Sequence, residues 1–177
     1  MTAHPIRLLV CDDHPVVRSG LRGMLRSQPD FDVVADAPDG ARAVALAQQF
    51  RPDVVLMDLK MPEMDGVTAT EKIKADRPET EVLVLTTYET DADILRAVEA
   101  GATGYLLKDS SEELLFDAIR QAARGKSPLA PSVASRLVGR VRSTTAGEGL
   151  SEREIEILRL VAQGANNKDI AQALLIS

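Results

Sequence analysis

The stretch "DVVLMDLKMPEMDG" (residues 53–66) decides the fold. "DVVLM" (53–57) carries a continuous apolar run, closed by the carboxylate of Asp58. A strand that is apolar on both faces belongs to a parallel sheet covered by helices on both sides. A helix over about 66–76 follows it. Working outward, "EVLVLTT" (81–87) is a second apolar strand, and "IRLLVC" (6–11), "FDVVADA" (31–37) and "TGYLL" (103–107) complete five. Helical spacing fills the intervals. Residues 15–27 direct Val16, Leu21, Met24 and Leu25 inward, and 40–50, opened by Asp39, carry Ala43, Val44 and Ala47. A helix with Ile94, Leu95 and Val98 ends at Gly101, and one at about 111–124 starts from a capping box of Ser110 with Glu113. Five strands alternating with five helices predict an α/β unit over residues 1–125, with right-handed crossovers. Periodicity leaves the strand order open.

The 177 residues suit one ordinary domain plus something smaller. No apolar run approaches the roughly 18 residues of a membrane span. The start "MTAHPIRLLVCDDH" lacks a basic region and makes a poor signal peptide. The lone Cys11 excludes an internal disulfide and a cysteine metal cluster, and its apolar strand favours core packing over redox chemistry. These features together predict a cytoplasmic protein. The net charge of −6 is uneven: residues 1–125 carry 14 Lys and Arg against 22 Asp and Glu, and 126–177 carry 7 against 5. Neither part is basic enough to claim nucleic acid on charge alone.

Past Gly125 the composition changes. Residues 126–149, rich in Ser, Pro, Gly and Thr, read as a linker in which a short helix fits at about 132–141. Order restarts with a capping box of Ser151 and Glu154, a face of Ile155, Leu158 and Val161, and a stop at Gly164. Asn166 or Asn167 opens a last helix carrying Ile170, Ala173 and Leu174.

The chemistry sits at strand ends. Asp12 and Asp13 close the first strand, Asp58 the third, Thr86 and Thr87 the fourth, and Lys108 follows the fifth. In an open parallel sheet these carboxyl ends form one edge, where ligands bind. Three acids there repel each other, and a hard divalent cation relieves them. Magnesium suits a site with few carboxylates beside a phosphate. A metal, a lysine and a hydroxyl together stabilise a phosphoryl group in transfer. No glycine-rich phosphate loop and no Ser-His pairing is present, so an aspartate is the natural acceptor. Taken singly, the acidic pair reads as a helix cap and Lys108 as a solvated loop residue. Their joint placement carries the argument.

The motifs "VCDDH", "DVVLMDLKMPEMDG", "VLVLTTYE" and "GATGYLLKD" resemble the receiver domain of bacterial two-component response regulators across residues 5–125. The resemblance implies a flavodoxin-like sheet of order 2-1-3-4-5 and phosphorylation of Asp58 by a sensor histidine kinase. It also implies magnesium held by Asp13, Asp58 and the backbone carbonyl of Lys60, with Asp12 supporting. Thr86 is then the switch hydroxyl, Tyr105 the switch aromatic and Lys108 the phosphate-binding lysine. Thr87 is the rival of Thr86, and the spacing to Lys108 favours Thr86. Many receivers carry proline after that lysine. Asp109 stands there instead, so no cis peptide is expected.

"LSEREIEILRLVAQGANNKDIAQALLIS" (150–177) is similar to the opening of a NarL/LuxR-type helix-turn-helix domain. By that resemblance the recognition helix lies beyond Ser177, and this chain holds no DNA-reading residues. The combined expectation is a phosphorylation-controlled transcription regulator that dimerises on phosphorylation and binds promoter DNA when intact. It is a phosphoacceptor rather than an enzyme, with slow self-dephosphorylation. A stand-alone interaction module is the alternative, against which the linker and second segment speak. An aspartyl-phosphate phosphatase of the haloacid-dehalogenase type would need an aspartate two residues after the nucleophile, where Lys60 stands.

Overall fold

The computed structural model describes residues 4–87, 90–129, 156, 159 and 160. Its elements alternate as β1 (Ile6–Cys11), α1 (Pro15–Arg26), β2 (Phe31–Ala37), α2 (Gly40–Phe50), β3 (Val54–Met57), α3 (Gly66–Asp76), β4 (Glu81–Thr86), α4 (Asp91–Glu99), β5 (Gly104–Leu107) and α5 (Glu112–Ala122). The five strands form one parallel sheet in the order β2-β1-β3-β4-β5. This is the flavodoxin-like receiver fold.

Side-chain alternation divides the core into two. Leu8, Val10 and Leu56 join Leu25 of α1, Ile94 of α4 and Phe116 and Ile119 of α5. Their strand neighbours Leu9, Cys11, Val55 and Met57 face the other way, onto Ala43 and Ala47 of α2 and Ile73 of α3. Both faces of β1 and β3 are therefore dry, as their continuous apolar runs require.

Local chemistry sets the element ends. Asp39 caps α2 by accepting the Arg42 amide at 2.7 Å. Thr90 and Asp93 form a reciprocal capping box at α4. At the other end of α4, Gly101 takes φ +100°, and the Ala102 amide reaches back to the Ala97 carbonyl. That left-handed turn is the reason for glycine.

Two expectations need correction. Ser111, not Ser110, caps α5, accepting the Leu114 amide. Leu114 holds the third helical position, so Glu113 closes no capping box. Val16 does not point inward. It is 84% exposed, in the first turn of α1, which begins at Pro15. Within the expected linker, the Tyr105 amide donates to the Pro128 carbonyl at 3.0 Å and Leu129 forms a parallel bridge with Tyr105. Residues up to 129 thus cover the outer edge of β5, whose amides would otherwise lack partners. The expected helices at 132–141 and 167–175 lie outside the described residues. So does most of the one at 151–164, of which Glu156, Arg159 and Leu160 are helical.

Candidate functional site

Sheet register assembles the site. Cys11 pairs with Met57, and the Asp58 amide donates to the Cys11 carbonyl at 2.9 Å. Asp12 and Asp58 are therefore the first residues past adjacent strand ends. Thr86 pairs with Leu107, and the Lys108 amide donates to the Thr86 carbonyl at 2.9 Å. This brings the ends of β4 and β5 to the same edge. Thr86 is buried at the last position of β4, whereas Thr87 is exposed. Tyr105 is buried in β5.

The Lys108 ammonium is the hub. Its Nζ lies 2.6 Å from Asp12 Oδ2 and 3.2 Å from Asp58 Oδ2. Asp12 and Asp58 are both nearly inaccessible to solvent. Burial pushes the Asp58 carboxyl up. Lys108 pulls it back only in part, and Asp12 and Asp13 add to the rise. Burial works against the charged form of Lys108, but the carboxylates of Asp12 and Asp58 outweigh it and raise the ammonium.

Ligand atoms of Asp12, Asp13, His14 and Asp58 lie within 4.8 Å of one another. Asp12 Oδ2 and Asp13 Oδ1 are buried; the Lys108 ammonium lies 2.6 Å from the first and the His14 Nδ1 2.8 Å from the second. One ammonium facing three carboxylates leaves the mouth negative. A hard divalent cation with oxygen ligands fits that donor set. Lys60 is exposed in the loop after Asp58.

That loop is held by a close approach. The Gly66 amide donates to the Leu59 carbonyl at 2.9 Å, and a Cβ on Gly66 would stand 2.1 Å from the Asp58 carbonyl oxygen. Only glycine fits there. The Lys108–Asp109 bond is trans, as are all peptide bonds among the described residues.

Two neighbours of the site escaped the sequence reading. His14 caps nothing with its side chain but packs its imidazole against Asp13. Arg18 donates from Nη1 to the Asp12 carbonyl at 2.7 Å. Neither contact has a sequence signal beyond proximity to the acidic pair.

Known proteins agree with this geometry. The family described as "Response regulator receiver domain" matches residues 8–120, and "Bacterial regulatory proteins, luxR family" matches residues 148–177. The transcriptional regulatory protein LiaR of Bacillus subtilis is 42% identical over 176 residues, covering 97% of this chain and 83% of its own length. The response regulator protein VraR of Staphylococcus aureus is 42% identical over 169 residues, covering 95% of this chain and 81% of its own. Among solved structures, the response regulator ChrA of a heme-sensing two-component system is 47% identical, with a TM-score of 0.66 over 99% of this chain and 84% of that one. RcsB dimers bound to DNA match with a TM-score of 0.72 and 29% identity, over 98% of this chain and 85% of that one. None of the helices among the described residues is long and apolar enough to cross a membrane. The chain belongs to the response regulators that join a receiver domain to a LuxR-type DNA-binding domain, transcription regulators controlled by phosphorylation.

Proposed function

We propose that Asp58 is the phosphoacceptor. The observation that carries this is a buried carboxylate 3.2 Å from the Lys108 ammonium and grouped with Asp12 and Asp13 at one sheet edge. An oxygen of Asp58 attacks the phosphorus of a phosphohistidine on a sensor kinase. The new O–P bond forms as the N–P bond breaks, and the leaving imidazole nitrogen takes up a proton. Lys108 pairs with the phosphoryl oxygens. Asp13, Asp58 and the Lys60 carbonyl, supported by Asp12, would hold a magnesium ion, which would supply positive charge against the negative charge in transfer.

The phosphoryl group brings charge and acceptor oxygens. Thr86 turns to donate to one of them, and Tyr105 moves into the space it leaves. The resulting change on the faces of α4 and α5 favours dimerisation, and in the intact protein, with its recognition helix, the dimer engages promoter DNA. Water reaching the same acyl phosphate gives slow self-dephosphorylation.

The test is mass spectrometry of the chain after treatment with acetyl phosphate, with and without magnesium. One phosphoryl group on Asp58, absent without the cation and absent in Asp58→Asn, is expected. Label on Thr86 or Ser110 that persists in Asp58→Asn overturns the assignment. Thr86→Ala is expected to accept phosphate yet lose the phosphate-dependent change in association seen by light scattering.

A further inference from the structure

We propose that Arg18 is a positioning residue of the phosphoacceptor site, fixing the peptide plane between Asp12 and Asp13 with Asp36 as its anchor. The inference rests on the reading of Asp13 as a metal-facing ligand.

Arg18 is on α1, and its guanidinium links the residue past the end of β1 to a carboxylate of β2. Nη1 donates to the Asp12 main-chain carbonyl at 2.7 Å, and Nε donates to Asp36 Oδ2 on β2 at 2.9 Å. The side chain is only 17% exposed. The second Asp36 oxygen is taken by Arg22 Nη1 at 2.9 Å, one helical turn further along α1. Asp36 is thus shared by two arginines, of which only Arg18 reaches the site.

The Asp12 carbonyl belongs to the planar peptide unit that leads into Asp13. Holding that oxygen fixes the plane, and so the direction in which Asp13 leaves the strand. The preceding plane is held as well: the Asp12 amide donates to the Ala37 carbonyl at 3.1 Å. Asp36 and Ala37 are consecutive, so the end of β2 secures Asp12 on one side directly and on the other through Arg18. The side chain is fixed independently, with Oδ1 accepting the His14 amide at 2.8 Å and Oδ2 facing Lys108. Without Arg18, the Asp12 carbonyl at the hinge between the two acids loses this donor. A cation that needs near-ideal octahedral geometry registers such slack as lost affinity.

Lysine cannot replace this arginine. A single ammonium on a flexible stem cannot span Asp36 and the Asp12 carbonyl as a planar fork does. Arg22 supplies the matching control, since it shares the Asp36 anchor and the α1–β2 contact but does not touch Asp12.

The experiment is calorimetric titration of the full chain with MgCl2, alongside thermal unfolding, for wild type, Arg18→Gln, Arg18→Lys, Arg22→Gln and Asp36→Asn. Arg18→Gln and Arg18→Lys are expected to weaken magnesium binding about tenfold, the lower end of what supporting residues around a metal site cost. Asp36→Asn is expected to weaken it by less, and Arg22→Gln to leave it unchanged even though its melting temperature falls. A purely structural role for Arg18 predicts that Arg18→Gln and Arg22→Gln act alike on both readouts. Equal magnesium affinities for these two variants, or an Arg18→Lys that binds like wild type, overturn the proposal. If Arg18→Gln does not fold, the contrast of Asp36→Asn with Arg22→Gln decides in the same way, equal affinities again overturning it. Acetyl phosphate labelling of the wild type separates the two readings: magnesium binding without label on Asp58 removes the phosphoacceptor assignment and leaves the Arg18 result standing.

Discussion

Cys11 ends β1 one residue before the acidic pair, and its surroundings explain why a thiol there is inert. It is 2% exposed, with Sγ 3.4 Å from the Asp39 carbonyl and 3.4 Å from Met61 Sδ. Burial pushes its pKa far up, and Asp39, Asp12 and Asp58 push it further. Thiolate, the reactive form, is therefore withheld at neutral pH. The native chain is expected not to react with Ellman's reagent, and to release one equivalent of colour only when denatured. Rapid native labelling would contradict this. The core role of Cys11 is legible in the sequence because the residue sits in an apolar run. The cluster of Asp12, Asp13, Asp58 and Lys108, with Thr86 ending the strand beside it, is legible for a related reason: parallel strands put all their carboxyl ends on one edge. Arg18 is not, because its value lies in contacts with Asp36 and a backbone oxygen, and no spacing in the chain marks either.

Elements are legible where periodicity is long, and their ends are not. The α5 cap moved from Ser110 to Ser111 because adjacent serines compete for one capping position, and side-chain geometry alone separates them. Val16 has the right spacing for a buried face but lies in the first turn of α1, where its side chain stays exposed. Neighbourhood likewise decides what one methyl group does at two glycines. Gly20 lies inside α1, and a Cβ there meets nothing within 4 Å. Gly20→Ala is expected to stabilise by about 0.4–1 kcal/mol, through helix propensity and a less free unfolded chain. At Gly104, the first residue of β5, a Cβ would stand 2.5 Å from the Pro128 carbonyl and 2.9 Å from Leu83 Cδ1. Gly104→Ala is expected to cost about 1–3 kcal/mol as the close-packed contact is forced apart. Hydrogen exchange of the Tyr105 amide, which donates to Pro128, should then accelerate. Urea denaturation reads both variants, and two shifts of the same sign would refute the account.

At the scale of the whole molecule, contacts distant in sequence hold α5 to the start of β2. Arg120 of α5 donates from Nε to Asp30 Oδ2 at 2.8 Å, and from Nη2 to Asp30 Oδ1 at 3.1 Å and Gln28 Oε1 at 3.0 Å. Its guanidinium lies 5.0 Å from the centre of the Phe31 ring, and Phe31 meets Phe116 edge-on at 5.8 Å. Nothing local signals this pairing across 90 residues, just as nothing in the periodicity yields the order β2-β1-β3-β4-β5. The order follows from motif resemblance, and the clamp only from the three-dimensional structure. The clamp has a pH signature. The Arg120 hydrogen bond holds the Asp30 carboxyl below its usual 3.8. A carboxyl depressed in the folded state stabilises above its unfolded pKa and loses that contribution as pH falls through the folded value. Asp30 is 44% exposed, so solvent limits the effect to roughly the 0.2–1 kcal/mol of an exposed pair, with the two-pronged geometry favouring the upper end. Asp30→Asn is therefore expected to be less stable than wild type by that amount at pH 6, with the gap closing as pH drops below about 3.8. Urea denaturation of both chains from pH 6 to 3 measures it. A gap unchanged at pH 3 would mean that Asp30 acts through packing with Gln28 and Phe31 rather than through its charge.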